Sequence, residues 1–158
     1  MGLMLVSGNI FDFPSNFLVN PVNCTGVMGA GLAKQFKERY PKMFKEYKEL
    51  CMLGKLRPGK LHWYVPKRHG DEGPVIINFP TKDKWQHKSE MSYIVEGLKA
   101  MVDIIDKLEK AVNVSIPALG CGLGGLSFTE VHDVLIEGLK NSRHSYLLIL
   151  PNRRKLLP

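Results

Sequence analysis

The sequence has few cysteines and no long apolar run. Only three cysteines occur among 158 residues. No Cys-x-x-Cys or His-x-x-x-His spacing is present, so we expect no metal, no cofactor and reduced thiols. No apolar stretch is long enough to cross a membrane, and the first residues contain no basic leader. These absences predict no membrane partner, no export and a cytoplasmic location.

Several nucleotide-binding and hydrolase motifs are also missing. No segment reads Gly-x-x-x-x-Gly-Lys-Ser/Thr, so we do not expect a Walker-type NTPase, and no Gly-x-Ser-x-Gly elbow is present. One segment formally matches the motif Gly-x-Gly-x-x-Gly, at Gly120, Gly122 and Gly125. It follows the fifth predicted strand and not the first, and the next predicted strand ends without an acid, so a Rossmann dinucleotide site is rejected.

The composition is that of a soluble globular protein. Hydrophobic residues make up 44% and charged residues 23% of the chain, and the length predicts one domain over residues 1–158. We expect a monomer. The net charge of +7 suits an anionic partner such as a nucleotide or nucleic acid, although a solubilising surface would give the same charge.

Short apolar runs alternate with amphipathic segments along the chain. The alternation predicts an α/β fold, in which a mixed, mainly parallel sheet lies between helix layers. The turn-rich segment "KRHGDEGP" indicates a hairpin between the third and fourth strands. The predicted strands are Leu3–Val6, Leu18–Val22, Leu61–Val65, Val75–Phe79, Asn113–Pro117 and Tyr146–Leu150. The predicted helices start near Leu32, at Pro41, at Ser89 (running to Lys110) and at Ser127, where Glu130 completes a capping box.

Two glycine-rich segments follow predicted strands and precede predicted helices. They are the first glycine loop, "GVMGAG" at residues 26–31, and the second glycine loop, "GCGLGG" at residues 120–125. Glycines let a backbone approach a ligand closely, and a helix N-terminus attracts anions. The pair predicts a diphosphate held from both sides, with tight turns that bind nothing as the alternative.

Polar and reactive side chains lie near the same strand ends. Asn20 and Asn23 follow the second strand and can bond ribose hydroxyls or cap a turn, and Asn9 can bond a base edge or cap a turn. The segment "NFPTKDKWQHKSE" carries Thr81, Lys82, Lys84, Trp85 and His87. Cys24 and Cys121 flank the glycine loops. Either cysteine could be a nucleophile with His87 or His132 as base, but we favour small, buried, inert thiols.

Four segments together resemble the macrodomain family. They are "SGNI", "FLVNPVN", "GVMGAGLAKQF" and "IPALGCGLGGL", in that order and spacing, and the resemblance extends from Leu3 to Leu150. It implies a three-layer α/β/α fold with a mixed sheet of six strands, and ADP-ribose as ligand or product. Asn9 matches the position that contacts adenine, and Asn23 the asparagine that bonds the distal ribose. The implied ligand-binding residues are Gly8, Asn9, Ile10, Asn20, Gly26, Val27, Met28, Gly29, Ala30, Gly31, Leu32, Thr81, Ala118, Leu119, Gly120, Cys121, Gly122, Leu123, Gly124 and Gly125.

The "INFPTK" motif, followed by a basic segment with a tryptophan, is similar to the DarG-type branch. Enzymes of that branch remove ADP-ribose from thymidine in DNA. The resemblance to them implies Lys82 and Asn23 as the catalytic residues. ADP-ribosylated DNA and a cognate ADP-ribosyltransferase toxin are the implied partners. We expect Lys84, Trp85 and Lys88 to contact the nucleic acid, because cations neutralise phosphates and an indole stacks on bases. The alternative is that Trp85 packs against the third helix as part of the core.

Three alternative functions remain open from the sequence. The terminal ADP-ribose glycohydrolase of the same branch acts on protein glutamate and carries an aspartate where this chain has Gly124. A yeast branch that dephosphorylates ADP-ribose 1''-phosphate shares the Gly-Asn start and the "GK" of "LRPGKLHWYVP", and its loop histidine corresponds to His87. The third alternative is a non-catalytic module that binds ADP-ribose.

Overall fold

A computed structural model describes residues 2–151. Residue 1 and residues 152–158, which belong to the predicted domain, lie outside the described residues. The strands are β1 (Gly2–Ser7), β2 (Phe17–Val22), β3 (His62–Tyr64), β4 (Val75–Pro80), β5 (Asn113–Pro117) and β6 (Ser145–Leu150). The helices are α1 (Gly31–Arg39), α2 (Pro41–Met52), α3 (Met91–Ile105) and α4 (Phe128–Leu139), with short 3₁₀ turns at Ile10–Asp12 and Pro66–His69.

The six strands form one mixed sheet in the order β1-β6-β5-β2-β4-β3. Every neighbouring pair is parallel except β3 and β4, which form the predicted hairpin. The strand and fold-class predictions are therefore confirmed. Since five strands run in one direction, their carboxyl ends share one edge of the sheet, where ligands bind in folds of this kind.

Helices cover both faces of the sheet, and a hydrophobic core fills each interface. Residues of α3 and α4, including Leu98 and Leu135, pack on one face. Residues of α1 and α2, including Phe36 and Tyr47, pack on the other. Strands buried on both faces read as continuous apolar runs, which is why short apolar segments located them. Within residues 2–151, no helix has the length and apolar character needed to span a membrane.

Two helix predictions need correction. The third helix was expected from Ser89 to Lys110, but α3 is shorter at both ends. Ser89 lies in irregular chain before α3, and its N–H donates to Gly124 O (3.0 Å). The N–H groups of Lys107 and Leu108 donate to the carbonyls three residues earlier, which tightens the chain into a turn. At α4, the predicted serine cap is present, since Ser127 Oγ accepts from the N–H of Glu130 at 3.4 Å. No return bond from the Glu130 side chain is seen among the described residues.

Candidate functional site

Three chain segments meet at the carboxyl edge of the parallel strands. The first glycine loop follows β2, the second follows β5, and residues 81–90, here called the lysine loop, follow β4. β5, β2 and β4 are consecutive in the sheet. The topology therefore brings together segments that are almost 100 residues apart in sequence.

Backbone hydrogen bonds tie the lysine loop to the segments on either side. At its start, the N–H of Thr81 donates to Val22 O at 2.9 Å. Next to the first glycine loop, the N–H of Cys24 donates to Asp83 O at 2.8 Å. At its end, the N–H of Ser89 donates to Gly124 O in the second glycine loop at 3.0 Å. The lysine loop thus crosses from one glycine loop to the other, and Lys82 lies between its attachments.

The side-chain amide of Asn23 is held in one orientation by the residues that follow it. Its Oδ1 accepts from Thr25 N and Thr25 Oγ1, both at 3.0 Å, and from Val27 N at 3.3 Å. Its Nδ2 donates to Val27 O at 2.8 Å. Because a carboxamide nitrogen carries two hydrogens, one N–H donor is left for a ligand. Asn23 therefore caps a turn and can also bond a hydroxyl oxygen.

Tyr47 supports Asn23 from beneath. This α2 residue is fully buried, and its hydroxyl lies 2.8 Å from both Asn23 O and Asn23 Oδ1. Burial raises the pKa of the Tyr47 phenol, so it remains a hydrogen-bond donor. The sequence does not reveal this contact, since nothing in its pattern shows where a tyrosine hydroxyl points.

The first glycine loop leads into an uncapped helix N-terminus. Ala30 precedes α1 and gives no side-chain cap, so the first-turn amides are available to an anion. Gly26 has φ +87°, and a Cβ there would lie 3.5 Å from Cys51 Cβ and 3.5 Å from Lys48 Cγ. The left-handed backbone, more than the space, requires glycine at this position.

The second glycine loop is closely packed against the lysine loop. A Cβ on Gly124 would lie 2.3 Å from Ser89 Oγ and 2.5 Å from Gly120 O. The position has no room for any larger side chain, including an aspartate. Ser89 Oγ is itself buried and has no hydrogen-bond partner within residues 2–151. It packs against the loop and makes no polar contact there.

The lysine loop exposes most of its polar side chains. Lys82 is partly buried, whereas Lys84, His87 and Lys88 are exposed. Trp85 is 53% exposed, so it does not pack into the core beside α3. Lys84 and Lys88 form no ion pair within residues 2–151, and the exposed indole that lies near them in sequence can stack on a planar group.

The cysteines near the site are poor nucleophiles. Burial is the main cause that raises the pKa of the Cys24 thiol to about 12 and that of Cys121 to about 11. Thiols with such values are protonated at neutral pH, and the thiolate is the reactive form. The raised pKa values agree with inert thiols, but both cysteines are half-buried and not fully buried as expected.

Asn20 does not reach the site. Its side chain is fully buried, and its Nδ2 donates to Asn78 Oδ1 at 3.0 Å. Asn78 in turn donates to His62 Nδ1 (3.0 Å), and His62 Nε2 lies 2.7 Å from Glu46 Oε2. Asn20 therefore belongs to a buried hydrogen-bond network with Asn78 and His62. This position does not support a contact with ribose.

The remaining predicted ligand residues lie at the same edge. Asn9 is exposed, and its Oδ1 caps the following turn by accepting from Phe11 N at 3.0 Å. That bond leaves the Nδ2 of Asn9 without a partner among the described residues. Four predicted residues bury their side chains and can offer a ligand only backbone atoms: Ile10, Met28, Thr81 and Leu119.

Comparisons with known proteins agree with this arrangement. Residues 19–135 match the family model described as Macro domain. The chain is 40% identical over 143 residues to a DNA ADP-ribosyl glycohydrolase of Thermus aquaticus, which is 87% of this chain but 38% of that protein. The chain thus spans well under half the length of that relative.

Solved structures show the same fold. The macrodomain of Mycobacterium tuberculosis DarG superposes with a TM-score of 0.84 at 37% identity, over 96% of this chain and 99% of that one. Thermosipho africanus DarTG in complex with ADP-ribose gives a TM-score of 0.87 at 31% identity, over 99% of this chain and 43% of that one. Since the family model matches most of the sequence, the chain belongs to the Macro domain family.

Proposed function

We propose that this macrodomain binds ADP-ribose and hydrolyses the bond between ADP-ribose and a nucleobase in DNA, with thymidine as the modified nucleoside. The observation that carries the proposal is the lysine loop, fixed between the two glycine loops by the Cys24 and Ser89 amides. The bonds on either side of Lys82, from Thr81 N to Val22 O and from Cys24 N to Asp83 O, support a position for this lysine beside the segment that leads into the first glycine loop. The relatives named DNA ADP-ribosyl glycohydrolase and the neighbour that holds ADP-ribose support the same chemistry.

The glycine loops would hold the diphosphate and the distal ribose. The uncapped N-terminus of α1 supplies backbone N–H groups on one side, and the second glycine loop closes from the other. Backbone dipoles of this kind neutralise a diphosphate without a metal ion. Asn23, with its one free N–H, would orient a hydroxyl of the distal ribose.

Lys82 would act at the anomeric carbon of that ribose. Either its deprotonated amine attacks this carbon and water later displaces it, or the ammonium stabilises charge on the departing base. In both routes the bond from the anomeric carbon to the base nitrogen breaks. The hydroxyl of water ends on the anomeric carbon and its proton on the base, which releases free ADP-ribose.

The crowding at Gly124 favours a nucleobase over protein glutamate as the acceptor. A glycohydrolase that needs an aspartate in the second glycine loop would have to place it where Ser89 and Gly120 already lie. The exposed Trp85, with Lys84 and Lys88 beside it, instead suits a base and its phosphates. A DNA ADP-ribosyltransferase would have to supply the substrate, which makes a cognate transferase the expected partner.

The test is release of ADP-ribose from single-stranded DNA that carries ADP-ribosylated thymidine. We expect turnover by the unaltered chain, loss of turnover in Lys82→Ala, and retention in Lys99→Ala, an exposed lysine of α3. Borohydride reduction during turnover, followed by mass spectrometry, would trap an adduct on Lys82 if the amine is the nucleophile.

A substrate panel separates the competing functions. It should include an ADP-ribosylated glutamate peptide and ADP-ribose 1''-phosphate. Preferred turnover of the phosphate that survives Lys82→Ala but is lost in His87→Ala would replace our proposal with a phosphatase. Tight ADP-ribose binding with no turnover of any substrate would leave a binding module.

A further inference from the structure

Most of the excess positive charge lies outside the loops that would hold ADP-ribose. Residues 34–60 contain nine lysines and arginines but three glutamates, in a chain whose net charge is +7. The glycine loops act through backbone amides and need none of these side chains. The local charge therefore calls for a separate explanation.

Sheet register places one end of this basic segment beside the lysine loop. β3 is antiparallel to β4, and His62 pairs with Asn78. The residues just before His62 therefore lie beside the carboxyl end of β4, where residues 81–90 begin. A tight turn lies there, since Arg57 and Lys60 form a β-bridge and Lys60 N donates to Arg57 O at 2.9 Å. We call residues 57–60 the basic turn.

Two contacts fix the basic turn in this position. Leu56, immediately before it, is buried at 5% exposure in the core that also holds Tyr47 and Met28. Gly59, with φ +85°, lies against α3, and a Cβ on it would approach Glu96 Oε2 to 3.1 Å. The turn thus contacts both helix layers, through Leu56 on one side and Gly59 on the other, and it lies at the same edge of the sheet as Lys82.

The two cations of the basic turn are free to bind an anion. Arg57 and Lys60 are both exposed, and neither forms an ion pair with another residue in the described part of the chain. The Glu96 carboxylate lies against Gly59, but within residues 2–151 it forms no ion pair with either cation. Lys84 and Lys88 on the lysine loop are exposed as well, so exposed cations lie both on the basic turn and on the loop that begins where β4 ends.

We propose that the basic turn is a second contact surface for DNA, binding phosphates of the single strand that flanks the modified nucleotide. This inference rests on the proposed function, because the modified base must enter at the lysine loop. Neighbouring phosphates then pass the adjacent edge, where Arg57 and Lys60 stand. The surface adds affinity for a polynucleotide but takes no part in contacts with the ADP-ribosyl group.

The test compares Arg57→Ala/Lys60→Ala with Lys107→Ala/Lys110→Ala. The control removes the same charge near Asn16 and Val75, at the opposite edge of the sheet. For an ADP-ribosylated single-stranded oligonucleotide we expect a raised KM in the first variant alone. We expect the magnitude of the slope of log affinity against log salt to fall by about 1.4, since each single-strand phosphate contact contributes roughly 0.7. The KM for ADP-ribosylated thymidine nucleoside should not change.

Binding of unmodified single-stranded DNA, followed by fluorescence anisotropy, keeps the two proposals distinguishable. If the unaltered chain hydrolyses neither substrate, the proposed function fails, while the salt slope for unmodified DNA still tests the basic turn. Equal slopes for the unaltered chain and Arg57→Ala/Lys60→Ala would overturn the inference. An effect of the same size in Lys107→Ala/Lys110→Ala would overturn it too. So would a loss of polyglutamate binding in Arg57→Ala/Lys60→Ala as large as the loss of DNA binding, because the surface would then serve acidic polypeptides.

Discussion

Replacing Gly124 by alanine tests whether the packing of the second glycine loop is required for ligand binding. The new Cβ would lie 2.5 Å from Gly120 O and 2.3 Å from Ser89 Oγ. The serine hydroxyl can rotate, but the carbonyl belongs to the backbone. Ordinary contact needs about 3.5 Å, so the loop must move by roughly 1 Å. A displacement of that size costs about 100-fold in rate when it misplaces a binding element.

Gly122→Ala is a matched control in the same loop. A Cβ on Gly122 meets nothing within 4 Å, and neither Gly122 nor Gly124 has a positive φ. We expect Gly124→Ala to lose ADP-ribose affinity in calorimetry and about 100-fold in ADP-ribose release, with overpacking lowering the free energy of unfolding by about 1–3 kcal/mol. Gly122→Ala should behave like the unaltered chain.

Two results would refute this reasoning. Normal ADP-ribose affinity in Gly124→Ala would show that the loop is not closely packed where the ligand binds. Equal losses in Gly124→Ala and Gly122→Ala would show that the loop needs backbone freedom, not space. Adding Ser89→Gly to Gly124→Ala removes the hydroxyl clash but not the backbone clash, so it should restore little activity.

Three further substitutions probe the rest of the site. Tyr47→Phe removes one hydrogen bond to Asn23 and should lower kcat/KM about threefold to tenfold, from roughly 0.5–1.5 kcal/mol; unchanged kinetics would mean that Thr25 and Val27 suffice to orient the amide. Trp85→Ala should weaken activity on modified DNA more than fivefold, from about 1–3 kcal/mol of stacking, and leave ADP-ribose affinity and the melting temperature nearly unchanged. Burial lowers the pKa of His62 below its ordinary 6.5 despite the opposing effect of Glu46, so below that pH the unfolded chain binds a proton that the folded chain does not. The free energy of unfolding should therefore fall as pH decreases below 6.5. Urea titrations at several pH values should show a smaller fall in His62→Asn.

The sequence revealed those parts of the fold that depend on local pattern. Strands covered on both faces appear as short apolar runs, and Pro41 and Ser127 mark helix starts because their local chemistry suits those positions. The glycine loops were visible because glycine is required where the backbone must turn or approach a ligand closely.

The sequence did not reveal the contacts made between distant segments. Asn20 looked available to a ligand, but it shares a face of β2 with Leu18 and Val22 and pairs with Asn78, 58 residues later. The Tyr47 hydroxyl and the Ser89 N–H have partners that lie 24 and 35 residues away in sequence. Such pairings depend on strand order and register, and neither can be derived from the periodicity of one strand.

The attachments of the lysine loop have a consequence for motion. Lifting this loop away must break the hydrogen bonds donated by the Cys24 and Ser89 N–H groups together, so it would release both glycine loops in one event. These amides should then exchange with deuterium at a common rate, as members of one cooperative opening unit. Ligand held by the glycine loops would slow that exchange. A DNA strand that shifts the lysine loop would in turn weaken the contacts between the glycine loops and ADP-ribose. Binding of the next DNA strand would then favour release of the ADP-ribose product.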